Sequence, residues 1–222
     1  MLMYPAHSVC RWKQRHTECA GYIVHFTIEL PAMNPPDDTL AAALGRHAIE
    51  LPEPKIAKLE QYCTLLWDWN SKLNLTRHTD YEKFVARDVV DTLAFSKFLE
   101  PGETVLDVGT GGGVPGLLLA MLREDLDVSL CESVGKKARA VADIAQQLGL
   151  ATLVYNVRAE TLLADHQFTT LLVRAVAPLR KLLEWFKPHW LAFDRLLVLK
   201  GPAWVAERAE ARHLGLMRNL AL

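Results

Sequence analysis

Apolar positions along this chain change period near its middle. From Pro54 onward, Ile56, Leu59, Cys63, Leu66 and Leu73 recur at three- and four-residue steps, the repeat of a helix with one buried face. A second helical stretch, "DYEKFVARDVVDTLAFSKFLE" (80–100), gathers Phe84, Val85, Val89, Leu93 and Phe95 on one broad face, with Asp80 in the N-cap position and "PG" at 101–102 as a stop. Together they predict a helical cap over 41–102. Beyond it short strand-like runs alternate with helical ones: "TVLDVG" (104–109), "DVSLCE" (127–132), "TLVYNV" (152–157), "TTLLVRA" (169–175) and "RLLVLK" (195–200) are β-branched or leucine-rich. The first, fourth and fifth are almost continuously apolar, as strands buried on both faces are. Between the runs lie "PGLLLAMLRE", "GKKARAVADIAQQLGL" and "PLRKLLEWFKPHW", all with helical spacing. This alternation predicts an α/β fold with a doubly wound, mostly parallel sheet over 103–222. Residues 1–40 hold no sustained period and run into the breaker-rich "NPPDDT", which reads as an N-terminal extension ending in a linker.

Composition narrows the class. With 222 residues, 50% hydrophobic and 23% charged, the chain can bury a core of ordinary domain size. No stretch approaches the roughly 18 uninterrupted apolar residues of a membrane span, and the first residues lack the apolar centre of a secretory signal; a cytoplasmic location and a monomer are expected. Cys10, Cys19, Cys63 and Cys131 form no C-x-x-C pair and are expected to be reduced. His7, Cys10, His16 and Cys19 are spaced too loosely for a zinc site, so no metal is expected. The formal net charge of −1 means that a nucleic-acid partner has to be held by a local patch of Lys and Arg.

The candidate chemistry begins at "VLDVGTGGGVPG" (105–116), five glycines where the first strand meets its helix. In an open α/β sheet that turn faces the ligand crevice. Glycines at 109, 111 and 113 allow positive φ and let backbone N–H groups approach a ligand with no Cβ between, and Pro115 suits the first helical turn. Residues 111–116 fit G-x-G-x-x-G of dinucleotide sites and 109–113 fit G-x-G-x-G of S-adenosylmethionine enzymes, so the loop does not separate the two. Glu132, 19 positions after Gly113 at the end of the second strand, suits the ribose of either adenosine-bearing cofactor. Asp107 and Ala159-Glu160 favour the methyl donor, the first near its methionine end and the second flanking adenine. Asp107 is also read as a buried acid bonded to the loop's own amides, and Glu160 as a helix cap.

At this point "NSKLNLT", "LDVGTGGGVPG", "SVGKKARAV", "VRAET", "VRAVAPL" and "LVLKG" resemble, in order and spacing, the glucose-inhibited division protein B family of bacterial small-subunit ribosomal RNA guanine-N7 methyltransferases. The likeness runs from about Pro54 to Gly201. It implies a class I, Rossmann-like methyltransferase fold and a pocket for S-adenosylmethionine lined by Gly109, Thr110, Gly111, Gly113 and Val114, by Glu132 and Ser133, by Ala159 and Glu160, and by Arg174. Two departures stand out. Where the family carries Arg-His followed by Asp-Ser, this chain has "ARDVVDT": Asp88 stands for the His and Thr92 for the Ser, while Arg87 and Asp91 remain. The family also continues past "LKG" into an antiparallel strand pair, whereas this chain runs to "LGLMRNLAL", so the final β-hairpin is expected to be missing.

The N7 of guanine has an in-plane lone pair and no proton to lose, so no general base is assigned; the requirement is in-line geometry in a water-poor pocket. Basic groups are expected to hold phosphate or turn donors toward O6 of the base. Arg174 and Lys200, after the fourth and fifth strands, Arg87, and the cluster Lys136, Lys137 and Arg139 are the candidates for contact with 16S ribosomal RNA. Trp67 and Trp69 are expected in the core. Competing readings are a nicotinamide oxidoreductase, disfavoured because no Tyr-Lys or His-centred proton donor falls near the strand ends, a non-catalytic cofactor-binding protein, and a methyltransferase of small molecules.

Overall fold

A computed structural model describes residues 38–217. The extension over 1–37, with His7, Cys10, His16 and Cys19, lies outside the described residues, as do 218–222. Four helical segments come first: α1 (Leu40–Arg46), α2 (Glu53–Asn70), α3 (Tyr81–Lys83) and α4 (Val90–Ser96), the last two joined by a π-helical segment over Phe84–Val89. Asp80 caps α3 as expected, its side chain accepting from the Lys83 N–H at 2.8 Å. The helical repeat that includes Leu73 overshoots the end of α2. Asn70 Oδ1 accepts from the amides of Leu75 and Thr76 at 2.8 and 2.9 Å and turns the chain there, a short-range side-chain bond winning over the hydrophobic period.

From residue 104 strands and helices alternate: β1 (Thr104–Val108), α5 (Gly116–Leu122), β2 (Asp127–Cys131), α6 (Gly135–Gln147), β3 (Leu153–Tyr155), α7 (Ala159–Leu162), β4 (Phe168–Arg174), α8 (Leu179–Phe186), β5 (Phe193–Leu199) and α9 (Trp204–His213). Every pairing is parallel, in the order β3-β2-β1-β4-β5. Each predicted strand is present, with β3 shorter than its hydrophobic run and β5 beginning two residues earlier, at Phe193, whose register partner is Phe168. After β5 comes α9, and no strand follows among the described residues.

The period of two sorts side chains between two cores. Val105, Val128, Leu130 and Leu172 point to the face covered by α5 and α6, where Leu59, Tyr62, Cys63 and Leu66 of α2 complete the packing. Leu106, Val108, Leu171 and Val173 point to the other face, against Leu162 of α7 and Leu182 and Phe186 of α8. The early helices therefore share one core with the sheet. Trp67 and Trp69 pack against that core with their indole N–H groups donating to the His78 carbonyl and to Asp143, each within 2.9 Å. Cys63 and Cys131 are buried free thiols, and burial pushes the Cys131 thiol up to about 12, which leaves it inert at neutral pH. No helix among the described residues is long and apolar enough to cross a membrane.

Candidate functional site

The strand order reverses between β1 and β4, and the glycine loop stands at the carboxyl end of β1, in that crevice. The loop is built from backbone. Gly109 and Thr110 donate to the Cys131 carbonyl at 2.9 and 3.2 Å, and Gly113 donates to Thr110 at 2.9 Å. Gly109, Gly111 and Gly113 all have positive φ, of 69°, 61° and 99°. Their surroundings differ. A Cβ on Gly113 would lie 2.6 Å from Leu117 Cδ1, and one on Gly116 would lie 2.8 Å from Asp107 Oδ2, so these glycines are required by packing within the protein. A Cβ on Gly111 would meet nothing nearer than 4.0 Å, so the space beside it is open to a ligand. Pro115, expected in the first helical turn, takes the N-cap position, and α5 starts at Gly116.

Two carboxylates frame the loop. Asp107, 1% exposed, accepts at Oδ2 from the Thr110 hydroxyl at 2.6 Å and the Gly116 amide at 2.9 Å, which is the internal role weighed above. Burial pushes its pKa up to about 6, although those two bonds and the Arg174 cation act in the opposite direction. Glu132 follows β2, and its oxygens accept from the Gly111 amide at 3.2 Å and the Val134 amide at 2.8 Å. Ser133 is exposed beside it, Val114 is buried in the loop, Ala159 is buried at the start of α7, and Glu160 is half-buried in the first turn of that helix. From beneath, the buried Tyr62 hydroxyl donates to the Gly112 carbonyl at 2.9 Å, a support from α2 that no local sequence signal announces.

The basic candidates fall into two groups. Arg87, Lys136 and Arg139 are exposed and Lys137 is half-buried; none has an ion-pair partner among the described residues. Lys200, also expected to face RNA, has partners within the protein. Its ammonium donates to the Ala177 carbonyl at 2.6 Å and pairs with Glu207 at 2.7 Å, with only 11% of the side chain exposed. Lys200 thus ties β5 to α9 and to the turn before α8. Arg174 is partly used as well: Nη1 donates to Asp88 at 2.7 Å and Asp91 at 3.1 Å. Its neighbour Ala175 has a φ of 55°, which turns the chain so that Val176 lies over Gly109. Among the described residues no group of three or more His, Cys, Asp or Glu is placed to hold a metal ion. A cavity of about 490 Å³ opens between residues 163–167 and 188–192, but these segments precede β4 and β5 and so lie at the amino edge, away from the glycine loop.

Comparison with known proteins agrees with this geometry. A family model described as rRNA small subunit methyltransferase G matches residues 55–220. A protein named ribosomal RNA small subunit methyltransferase G from Rhodopirellula baltica is 50% identical over 84% of this chain and 80% of its own length. Proteins of the same name from Halorhodospira halophila and Chlorobaculum tepidum are each 36% identical, over 79% and 77% of this chain and 83% and 82% of theirs.

Proposed function

Since the chain belongs to the rRNA small subunit methyltransferase G family, and so is an S-adenosylmethionine-dependent methyltransferase, we propose that it methylates N7 of a guanine in 16S ribosomal RNA, in the cytoplasm. The observation that carries the cofactor half of this reading is the pairing of Gly111, open to the crevice, with the carboxylate of Glu132. S-adenosylmethionine supplies an activated methyl group on sulfur. Glu132, held by the Gly111 and Val134 amides, presents a carboxylate at the end of β2 where two ribose hydroxyls are bound by such acids. In this reading Gly109, Thr110, Gly111, Gly113 and Val114 line the amino-acid end, Asp107 lies near that end, Ala159 and Glu160 flank adenine, and Ser133 lines the pocket beside Glu132.

Acceptor chemistry follows from what the site lacks the need for. A lone pair at N7 attacks without losing a proton, so no base is required, and the protein's task is to align the acceptor and keep water out. Arg174, at the end of β4, has donors suited to O6 of the guanine. Lys136, Lys137 and Arg139 on the first turns of α6 supply a local positive cluster for phosphates that offsets the lack of bulk charge, and Arg87 is a separate exposed cation for the same partner. Calorimetric titration with S-adenosylhomocysteine and with NAD, followed by assay for 7-methylguanosine in 16S RNA or small subunits, tests the reading. Micromolar binding of the first alone, with 7-methylguanosine formed, is expected; NAD binding alone, or methylation at another atom, overturns it.

A further inference from the structure

We propose that Asp88, braced by His78, is a positioning residue for Arg174 and through it fixes how the acceptor base is presented. Asp88 lies in the π-helical segment, with its side chain 2% exposed. Its two oxygens have separate partners: Oδ1 accepts from Arg174 Nη1 at 2.7 Å, and Oδ2 from His78 Nδ1 at 3.0 Å. A carboxylate held at both oxygens cannot rotate without breaking one bond, so the guanidinium it grips has a fixed plane. Asp91 accepts from the same Nη1 at 3.1 Å, and the Thr92 hydroxyl donates to the Asp88 carbonyl at 2.7 Å, tying down the backbone that carries the carboxylate. π-Helical turns inside α-helices are frequent at functional sites, and here the wide turn sets Asp88 and Asp91 against one nitrogen.

The consequence lies on the other side of Arg174. With Nη1 occupied twice, Nε and Nη2 have no hydrogen-bond partner among the described residues, and the side chain is 21% exposed. These free donors stand at the carboxyl end of β4, next to the turn that lays Val176 over Gly109. They therefore stand at the edge of the crevice on a guanidinium anchored through Nη1, and an anchored planar fork is what distinguishes one edge of a base from another. At this position a carboxylate stands in the π-helical segment, and the imidazole that faces it comes from the preceding loop as His78. Loss of the charge at 88 frees the guanidinium to rotate about its side-chain torsions without touching the cofactor loop.

The acceptor half of this inference rests on the proposed function, so the test separates the two. In Asp88→Asn, kcat for methyl transfer to small-subunit RNA is expected to fall about tenfold to a hundredfold, while affinity for S-adenosylhomocysteine stays within twofold. His78→Leu is expected to fall in the same way but less, and His78→Asn, whose amide nitrogen takes the place of Nδ1, to recover most of that loss. The Nε–H resonance of Arg174, assigned by its disappearance in Arg174→Lys, reports the restraint directly: slow guanidinium rotation in the wild type and averaging in Asp88→Asn. Unchanged kcat in Asp88→Asn, loss of S-adenosylhomocysteine affinity in proportion to kcat, or equally free rotation in the two proteins overturns the proposal. A wild type that methylates no RNA yet shows the restrained resonance overturns the proposed function and upholds the positioning by Asp88.

Discussion

Replacing Asp107 by Asn is expected to stabilise the protein at neutral pH while weakening its cofactor site. Asp107 Oδ2 accepts two hydrogen bonds, and Oδ1 has no protein partner among the described residues. An Asn that puts its oxygen at Oδ2 keeps both bonds and turns its amide toward the crevice, so the variant mimics the protonated acid. Burial raises the native pKa from 3.8 to about 6, which means that the folded protein holds the proton over a range where the unfolded chain has released it. Stability contributed by this group is therefore present below pH 3.8 and is lost as pH rises to 6. Over the whole window the loss is about 3 kcal/mol, of which about 2 kcal/mol falls between pH 4.5 and 7.5. Urea denaturation of both proteins at those two pH values isolates the effect, because every other carboxylate cancels in the difference. The variant is expected to gain about 2 kcal/mol on the wild type between the acidic and the neutral measurement. A difference that does not change with pH would refute the reasoning, as would a variant that is relatively less stable at the neutral value. Calorimetry on the same samples should show weaker S-adenosylhomocysteine binding, the stability–activity opposition of a site held ionised for a ligand.

Other substitutions separate binding from folding. Gly111→Ala meets no protein atom nearer than 4.0 Å and bears only the strain of its positive φ, about 1 kcal/mol, so cofactor affinity should fall at least about tenfold with a small shift in urea midpoint. Gly116→Ala sets a methyl against Asp107 and Leu130 within 2.9 Å and should destabilise by about 1–3 kcal/mol in the same denaturation assay. Joint reversal of Lys136, Lys137 and Arg139 to Glu should weaken RNA binding and lower its salt slope by roughly 3, with calorimetric cofactor binding unchanged. Lys200→Met should lower the thermal midpoint, because it leaves the Ala177 carbonyl unpartnered and Glu207 with only the Leu179 amide, while leaving the salt slope of RNA binding intact.

Much of the frame was legible locally. The short, almost continuously apolar runs "TVLDV" and "TLLVR" identify β1 and β4, because a strand covered on both faces selects such residues, and the helix-forming repeat in "GKKARAVADIAQQ" identifies α6 by its one buried face. Glycines at 109, 111 and 113 signal their own positive φ, and Asp80 its own N-cap, since both requirements are satisfied within a few residues. The loop, Glu132 and the alternation of strands and helices thus determined the fold class, and the resemblance those motifs carry identified the family.

Only the tertiary structure decided which charges are free. Lys200 and Arg174 both follow strands at the ligand edge and look alike in sequence. Yet Lys200 is taken up by Glu207, whereas Arg174 keeps two nitrogens after meeting Asp88, 86 residues away. His78 carries no motif, and its imidazole has a partner only because the π-helical segment brings Asp88 to it. Asp107 likewise looks like any strand-end acid until the sheet and α5 close over it and remove its water. A hydrophobic period is a property of one segment, so a sequence states it; an ion pair or a displaced pKa depends on what distant segments place within a few ångströms, and that is settled only when the chain is packed.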